Sequence, residues 1–580
     1  MNDLWLHPAL VMIAGCVLLP FVRGTLRQAY LLAVPLLAFA LVLRMTPGVH
    51  AVVPFLGLEL TFGRVDALSL VFAHIMTLMC LLGTLYGLHV RETTQHIAAW
   101  MYVAGSLGVI FAGDLFVLFI FWELMAVAST FLVWFRRTER AQKAGMRYLL
   151  VHAVGGVVLL AGILLHWHDS GSLAFNLMDV DHLTTAGWLI LIGFVLNAAV
   201  PPLHAWLPDA YAEATVAGAV FMCAFTTKTA IYALCRGFAG LDILVPFGVA
   251  MTLYGVVYAV LENDTRRLLS YHIISQVGYM VAGVGIGTAM AINGAIAHAF
   301  AHILYKALLF MGVGAVLHMT GRSKATELGG LYQKMPWAFF YTVVGGLSIS
   351  GFPLLSGFVS KSMIVAAAFE DHLNWAAVLM LMASVGTFLS VGLKLTYAIW
   401  FGRNNCSEET WQKAKDPGWN MHGAMIITSA LCLFIGVYTP YLYAMLPNQS
   451  VHYEPYTAYH LAETLQILSF TALGFWLFRK KLSPKAKISL DLDWFYRAPA
   501  PWLGRVVVGG VNHFFVLGGD AALAVAHGAV RLARNPFQVF GRRGAPARDF
   551  DPDLDRGPLG SPIAAALLLA TVVVAWMYWR

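Results

Sequence analysis

Glu123 lies in the middle of an apolar run, GDLFVLFIFWELMAVASTFLVWF, residues 113–135. An ionisable side chain near a bilayer midplane costs several kcal/mol. Such groups face other helices or a water path and mark ion or proton routes. Lys228, Lys306, Lys361 and Lys394 also fall inside apolar stretches. The segment AIAHAFAHILYKALLF carries His298, His302 and Lys306 at i, i+4 and i+8. That spacing puts all three on one helical face over about 12 Å. Imidazole accepts and donates protons near neutral pH, and a lysine out of water gives up its proton more readily than one in water. The set therefore reads as a proton wire: Lys228, the histidines, Lys306, then Lys361. A lone histidine in an apolar helix is most often a satisfied core residue, but three titratable groups on one face are a stronger signal. His152, His204 and His272 each stand alone near a span and are weak signals. Lys394 is placed to snorkel toward the interface.

The elements that must hold these groups are membrane spans. Of 580 residues, 59% are hydrophobic and 12% charged, which excludes an ordinary soluble protein. A span needs about 20 apolar residues, and the chain holds about sixteen such runs. The net charge of +7 sits mainly in short loops, so no nucleic acid is needed to explain it. The basic clusters are Arg136, Arg137, Arg140 and Lys143, then Arg266 and Arg267, Arg322 and Lys324, and Arg479, Lys480, Lys481, Lys485 and Lys487. Acidic loops alternate with them, at Asp169, Asp179 and Asp181, and at Glu370 and Asp371. The positive-inside rule makes the basic loops cytoplasmic and puts the N-terminus outside a bacterial inner membrane. Residues 49–65 look like a short extracellular hairpin. The first apolar run lacks the features of a cleavable signal peptide. The six cysteines form no C-x-x-C pair and read as small apolar residues. No cofactor or metal site is expected, and no catalytic site in this chain.

Two spans carry interior prolines: FVLNAAVPPLHAWLPDA (194–210) and GLSISGFPLLSGFVSKSMI (346–364). Proline removes a helix hydrogen bond, and carbonyls freed in lipid must line protein or water. Two broken helices in corresponding places point to an inverted repeat with the ion path at the breaks. The expected organisation is N-terminal spans and hairpin at 1–96, repeats at 97–240 and 243–402, and further spans with a linker at 403–500. A lateral amphipathic segment at 501–560 and a terminal span at 561–580 complete it.

FWELM around Glu123, PLHAWLPDA, TKTAIYAL (227–234), RRLLSYHIISQVGYM (266–280), HAFAHILYKALLF (298–310) and SGFPLLSGFVSK (350–361) together resemble the antiporter-like subunits. These are shared by respiratory complex I, membrane-bound hydrogenases and Mrp-type cation/proton antiporters, and the wording is most like the D-type members of the Mrp group. The resemblance spans roughly residues 50–405. It implies an all-α polytopic membrane protein with two inverted five-helix repeats, broken helices, a C-terminal lateral helix and an anchoring span. It implies a proton path through Glu123, Lys228, His298, His302, Lys306 and Lys361, with Asn197, His204, His272 and Lys394 as accessory positions. Asn197 stands where the family usually has the lysine that pairs with the glutamate. An amide cannot neutralise a carboxylate, so Glu123 pairs with another cation such as Lys228, or is more readily protonated, or this half works differently.

The favoured function is a proton-translocating subunit of a multisubunit Na⁺/proton antiporter, with other membrane subunits, the bilayer, protons and Na⁺ or K⁺ as partners. The alternatives are a proton-pumping subunit of a redox complex of the NADH:quinone oxidoreductase or hydrogenase type, a proton-coupled inorganic-carbon uptake subunit, or a scaffold subunit.

Overall fold

The structure, a computed structural model, describes residues 5–486, 490–535, 551 and 560–579. Lys487 and, apart from Asp551, the acids and prolines of 545–559 lie outside the described residues. The chain forms two units, Met1–Asp491 and Leu492–Arg580.

The first unit opens with α1 (Pro8–Leu18) and α2 (Gly24–Val42), followed by an antiparallel hairpin, β1 (Gly48–Phe55) and β2 (Leu58–Val65). Next come α3 (Ala67–Tyr86), α4 (Thr93–Phe111), α5 (Leu115–Trp134), α6 (Glu139–Ser170), α7 (Thr185–Asn197), α8 (Trp206–Glu213), α9 (Val216–Ala224) and α10 (Thr226–Gly237). The order then restarts with α11 (Leu244–Leu261), α12 (Thr265–Ile286), α13 (Ala289–Thr320), α14 (Pro336–Ile349), α15 (Ser356–Glu370) and α16 (Asn374–Thr387). The short α17 (Glu408–Lys413), then α18 (Trp419–Val437), α19 (Thr439–Tyr443) and α20 (Ala458–Leu482) close the unit. Among the described residues, eleven helices are long and apolar enough to cross a membrane. The protein is a polytopic helical membrane protein.

Corresponding details recur in the two halves. α6 and α13 are each 32 residues long, and each ends on a left-handed glycine, Gly171 and Gly321. Asp114 and Asp264 cap α5 and α12 through side-chain acceptance of backbone N–H groups. Each also forms an isolated bridge just beyond the 32-residue helix of its half, with Ala174 and Lys324. The Asp114 bridge lies at the hairpin end of the bundle, where Asp114 accepts from the Thr61 N–H at 2.6 Å. The Asp264 bridge lies at the end that gathers the basic loops. There Arg136 pairs with Glu213 at 3.0 Å, and Arg266 donates to the carbonyls of Tyr211 and Thr215. The second half is thus inverted relative to the first.

Both proline segments interrupt a helix. α7 stops at Asn197 and resumes as α8; α14 stops at Ile349 and resumes as α15. Ala199 and Leu354 take positive φ (59° and 70°) inside these breaks. Two further interruptions carry no proline. α9 and α10 meet at Phe225, with φ −103° and ψ −67°. Residues 388–395 and 397–401 wind as π-helix, a form concentrated at functional sites. α11 and α12 cross with their backbones nearly touching: a Cβ on Gly248 would lie 2.3 Å from Ala282 N, and one on Gly255 2.5 Å from Ser275 N. Small residues permit this close approach within a membrane.

The second unit holds α21 (Trp494–Arg497), α22 (Ala500–Arg534) and α23 (Gly560–Tyr578). α22 runs unbroken for 35 residues, about 52 Å at the usual helical rise.

Candidate functional site: a buried line of lysines and histidines

α13 is buried along nearly its whole length and carries His298, His302 and Lys306, all fully buried. The one-face spacing holds: the two imidazole centroids are 6.3 Å apart. Tyr305 packs 5.2 Å from His302 and 6.2 Å from His298, and its hydroxyl donates to Gln276 at 3.3 Å. His298 Nδ1 meets Ser360 Oγ at 3.1 Å, linking α13 to α15. His302 lies within electrostatic reach of Lys228, Lys306, His298 and His272, and His298 within reach of Lys361. The structure therefore gathers the predicted wire from three separate elements, α10, α13 and α15.

The lysines share one chemistry: each ammonium rests on main-chain carbonyls. Lys228 Nζ donates to the Cys223 carbonyl at 2.7 Å, across the kink at Phe225, and to Thr227 Oγ1 at 3.0 Å. Lys306 donates to the Leu269 carbonyl at 3.1 Å. Lys361 donates to the carbonyl of Ile349, the last residue of α14, at 2.9 Å, and to Ser384 Oγ at 3.2 Å. Lys394 donates to the Val260 carbonyl at 2.5 Å at the end of α11. Helix C-termini carry partial negative charge and unfilled carbonyls. The breaks thus supply dipoles that hold a cation without a carboxylate. Among the described residues, Lys228, Lys306 and Lys361 make no salt bridge. Two expectations are corrected here. Lys228 does not pair with Glu123, because its ammonium is taken by the kink carbonyl. Lys394 does not snorkel outward; it is 6% exposed and caps α11.

In the first half, Glu123 on α5 faces Gly156 of α6; a Cβ there would lie 1.9 Å from Glu123 Oε1. The glycine leaves room for the carboxyl. Glu123 Oε1, His152 Nε2, Asn197 Nδ2 and His204 Nδ1 are buried and find no protein partner. In buried sites, groups of this kind are bridged by water. His152 packs on Tyr148 and Trp206, and its Nδ1 meets the Tyr148 carbonyl. Asn197 ends α7, at the lip of the first break. His204, inside the break, is fully buried with Nε2 3.2 Å from Asp491. In the second half, His272 Nε2 meets Ser390 Oγ of the π segment at 2.7 Å.

A cavity of about 540 Å³ reaches from Lys361 past Ser384 and His460 to Glu370, Glu454 and Glu463. Glu370 and Glu454 are exposed, so the buried lysine communicates with an acid-lined mouth. Among the described residues, no group of three or more His, Cys, Asp or Glu could hold a metal.

The family described as NADH:quinone oxidoreductase/Mrp antiporter, transmembrane, matches residues 112–389. The D-type Na⁺/H⁺ antiporter subunit of Alkalihalophilus pseudofirmus is 32% identical over 378 residues, covering 61% of this chain and 76% of that protein. The chain belongs to this family. A subunit of the Mrp complex from Dietzia sp. has the same fold, with a TM-score of 0.65 at 22% identity, over 80% of this chain and 95% of that one. A subunit of an archaeal membrane-bound sulfane sulfur reductase scores 0.70 at 23% identity, over 98% and 99%. Within the family frame, Asp491 is the polar residue that sequence reasoning did not single out. The signal was the first of two acids in DLDWF, just ahead of the long C-terminal helix.

Proposed function

We propose that this chain carries protons along Lys228, His302, His298 and Lys306 to Lys361, as one subunit of a multisubunit Na⁺/proton antiporter. The observation that carries this reading is the unbroken gathering of buried basic groups on α13 and its neighbours, ending in an acid-lined cavity at Lys361. Protonation at one group alters the proton affinity of the next, so charge moves stepwise along the line. An acidic mouth draws cations toward the last lysine. Other hydrophobic subunits surround it in a bacterial inner membrane, with the basic loops cytoplasmic and the N-terminus outside.

A redox-driven version is the second reading. It is favoured by the sulfane sulfur reductase subunit, whose fold this chain matches over 98% of its length. In that case the same line is driven by partner proteins that carry the redox centres.

The test is proton flux in inverted vesicles holding the intact complex. Lys228→Ala, Lys306→Ala and Lys361→Ala are each expected to lose at least about tenfold of flux, within the range typical of a missing proton-transfer group, with the complex still assembled. Unchanged flux in all three would leave a scaffold role. Mass spectrometry of the gently purified complex separates the two drivers. A second antiporter-like chain with only small hydrophobic subunits means antiport, and iron–sulfur or flavin subunits mean a redox pump.

A further inference from the structure

Leu490 and Asp491 follow α20; the Leu490 side chain stays exposed, and Asp491 enters the flank of the first break. Asp491 is 9% exposed. Its carboxylate faces His204 Nε2 at 3.2 and 3.3 Å and accepts the Tyr271 hydroxyl at 2.5 Å and the Tyr254 hydroxyl. Tyr258 donates to the Leu490 carbonyl at 3.0 Å. Tyr254 and Tyr258 belong to α11 and Tyr271 to α12, so one carboxylate joins the break of the first half to the leading helices of the second. Charged groups nearby include Arg267 and Glu262, which act on Tyr271, and Asp209, which acts on Arg267 and pairs with Arg147 at 2.6 Å.

A buried carboxylate is costly unless several donors satisfy it, and here an imidazole and two hydroxyls do so. Asp491 belongs to the linker, outside any span. Burial raises its carboxyl, but the His204 hydrogen bond and charge, then Tyr254 and Tyr271, bring it down to about 2. His204 is fully buried, and its second nitrogen, Nδ1, is the one without a protein partner. A carboxylate on one nitrogen orients the ring and leaves the other nitrogen to exchange a proton.

We propose that Asp491 is a positioning residue for proton transfer: it orients His204 and supplies the counter-charge that lets this histidine hold a proton inside the first break. α7 ends there in the uncharged Asn197, so His204 provides a switchable cation in a break that lacks a fixed one. The step is a proton transfer alone. His204 Nε2–H stays on Asp491, Nδ1 takes a proton from water on the basic-loop side, and the same Nδ1 proton passes to water within the break. The inference rests on the proton-carrying reading above.

The experiment measures proton flux by the intact complex in vesicles between about pH 6 and pH 9, for Asp491→Asn, Asp491→Glu and the Tyr254→Phe/Tyr271→Phe pair. Asp491→Asn is expected to lose about tenfold of flux at the alkaline end, with little loss at the acid end, where protons are abundant. Asp491→Glu restores most of it. The tyrosine pair loosens the tie but keeps the ion pair, and it transports at near the parental rate. A parental pH profile in Asp491→Asn, or a pH-independent loss shared by all three variants, would make the contact a structural tie and overturn the proposal. If Asp491→Asn does not assemble, the tyrosine pair and Asp491→Glu decide it in the same way. Lys361→Ala is measured alongside: retained flux there fails the proton-carrying reading itself, whereas lost flux there with parental Asp491→Asn fails only this inference.

Discussion

Glu123 and Gly156 set the residue scale. The carboxyl occupies the space that a Cβ on Gly156 would take, so two substitutions probe it from opposite sides. Glu123→Gln removes the proton site and keeps the shape, and Gly156→Ala keeps the acid and pushes it aside. Both are expected to lower proton flux several-fold in assembled complexes, because misplacing a transfer group costs nearly as much as losing it. Normal flux in Glu123→Gln would remove this residue from the path. The lysines follow a related logic. Lys228, Lys361 and Lys394 sit on carbonyls at a helix end or kink, and Lys306 on the Leu269 carbonyl within α12, so the dipole that holds each charge is part of the backbone. The wire residues on α13 were legible from spacing, since i, i+4 and i+8 fix a face wherever the helix packs. The partners of Lys228 were not. A distant carboxylate and a local main-chain carbonyl look equally good in a sequence until the backbone shows which acceptor is nearer.

At the scale of elements, the breaks decide where polar groups go. α15 begins against the end of α14, and a Cβ on Gly357 would lie 1.8 Å from the Ser348 carbonyl oxygen. Backbone cannot yield as a side chain does. Gly357→Ala is therefore expected to destabilise the complex by roughly 1–3 kcal/mol, read as a lower melting temperature in detergent. The start of α3 offers a second check away from the wire. Asp66 caps the helix in a reciprocal box with Ser69 and also takes Arg236 at 2.8 Å. Asp66→Ala removes the cap, worth about 1 kcal/mol, and strands a nearly buried guanidinium. Reduced thermal stability with an unchanged pH profile of flux is the expected result. The proline-bearing breaks could be read from composition. The kink at Phe225 and the π winding at 388–401 could not, because a helix that stays hydrogen-bonded to its neighbours can change its winding without any breaker residue.

For the whole molecule, the linker contact at Asp491 gives a pH signature. Its carboxyl is held at about 2 against an ordinary value of 3.8. A depressed acid contributes stability above its unfolded value and loses it as pH falls through the folded one. The segment at 490–491 is expected to resist limited proteolysis at about pH 5 and to become labile only as pH drops from about 4 toward 2. Release at higher pH would mean that the carboxylate is not paired as described. The sequence by itself determined that this is a many-span membrane protein, where its ionisable groups lie, that two proline breaks mark two halves, and which family it resembles. All of these follow from local composition, helical period or ordered motifs. Tertiary structure alone decided that α9 kinks at Phe225, that the lysines rest on carbonyls rather than on Glu123, and that an acid from beyond α20 closes on His204 some 287 positions earlier. Such pairings depend on how distant helices pack, and no local pattern of residues records that.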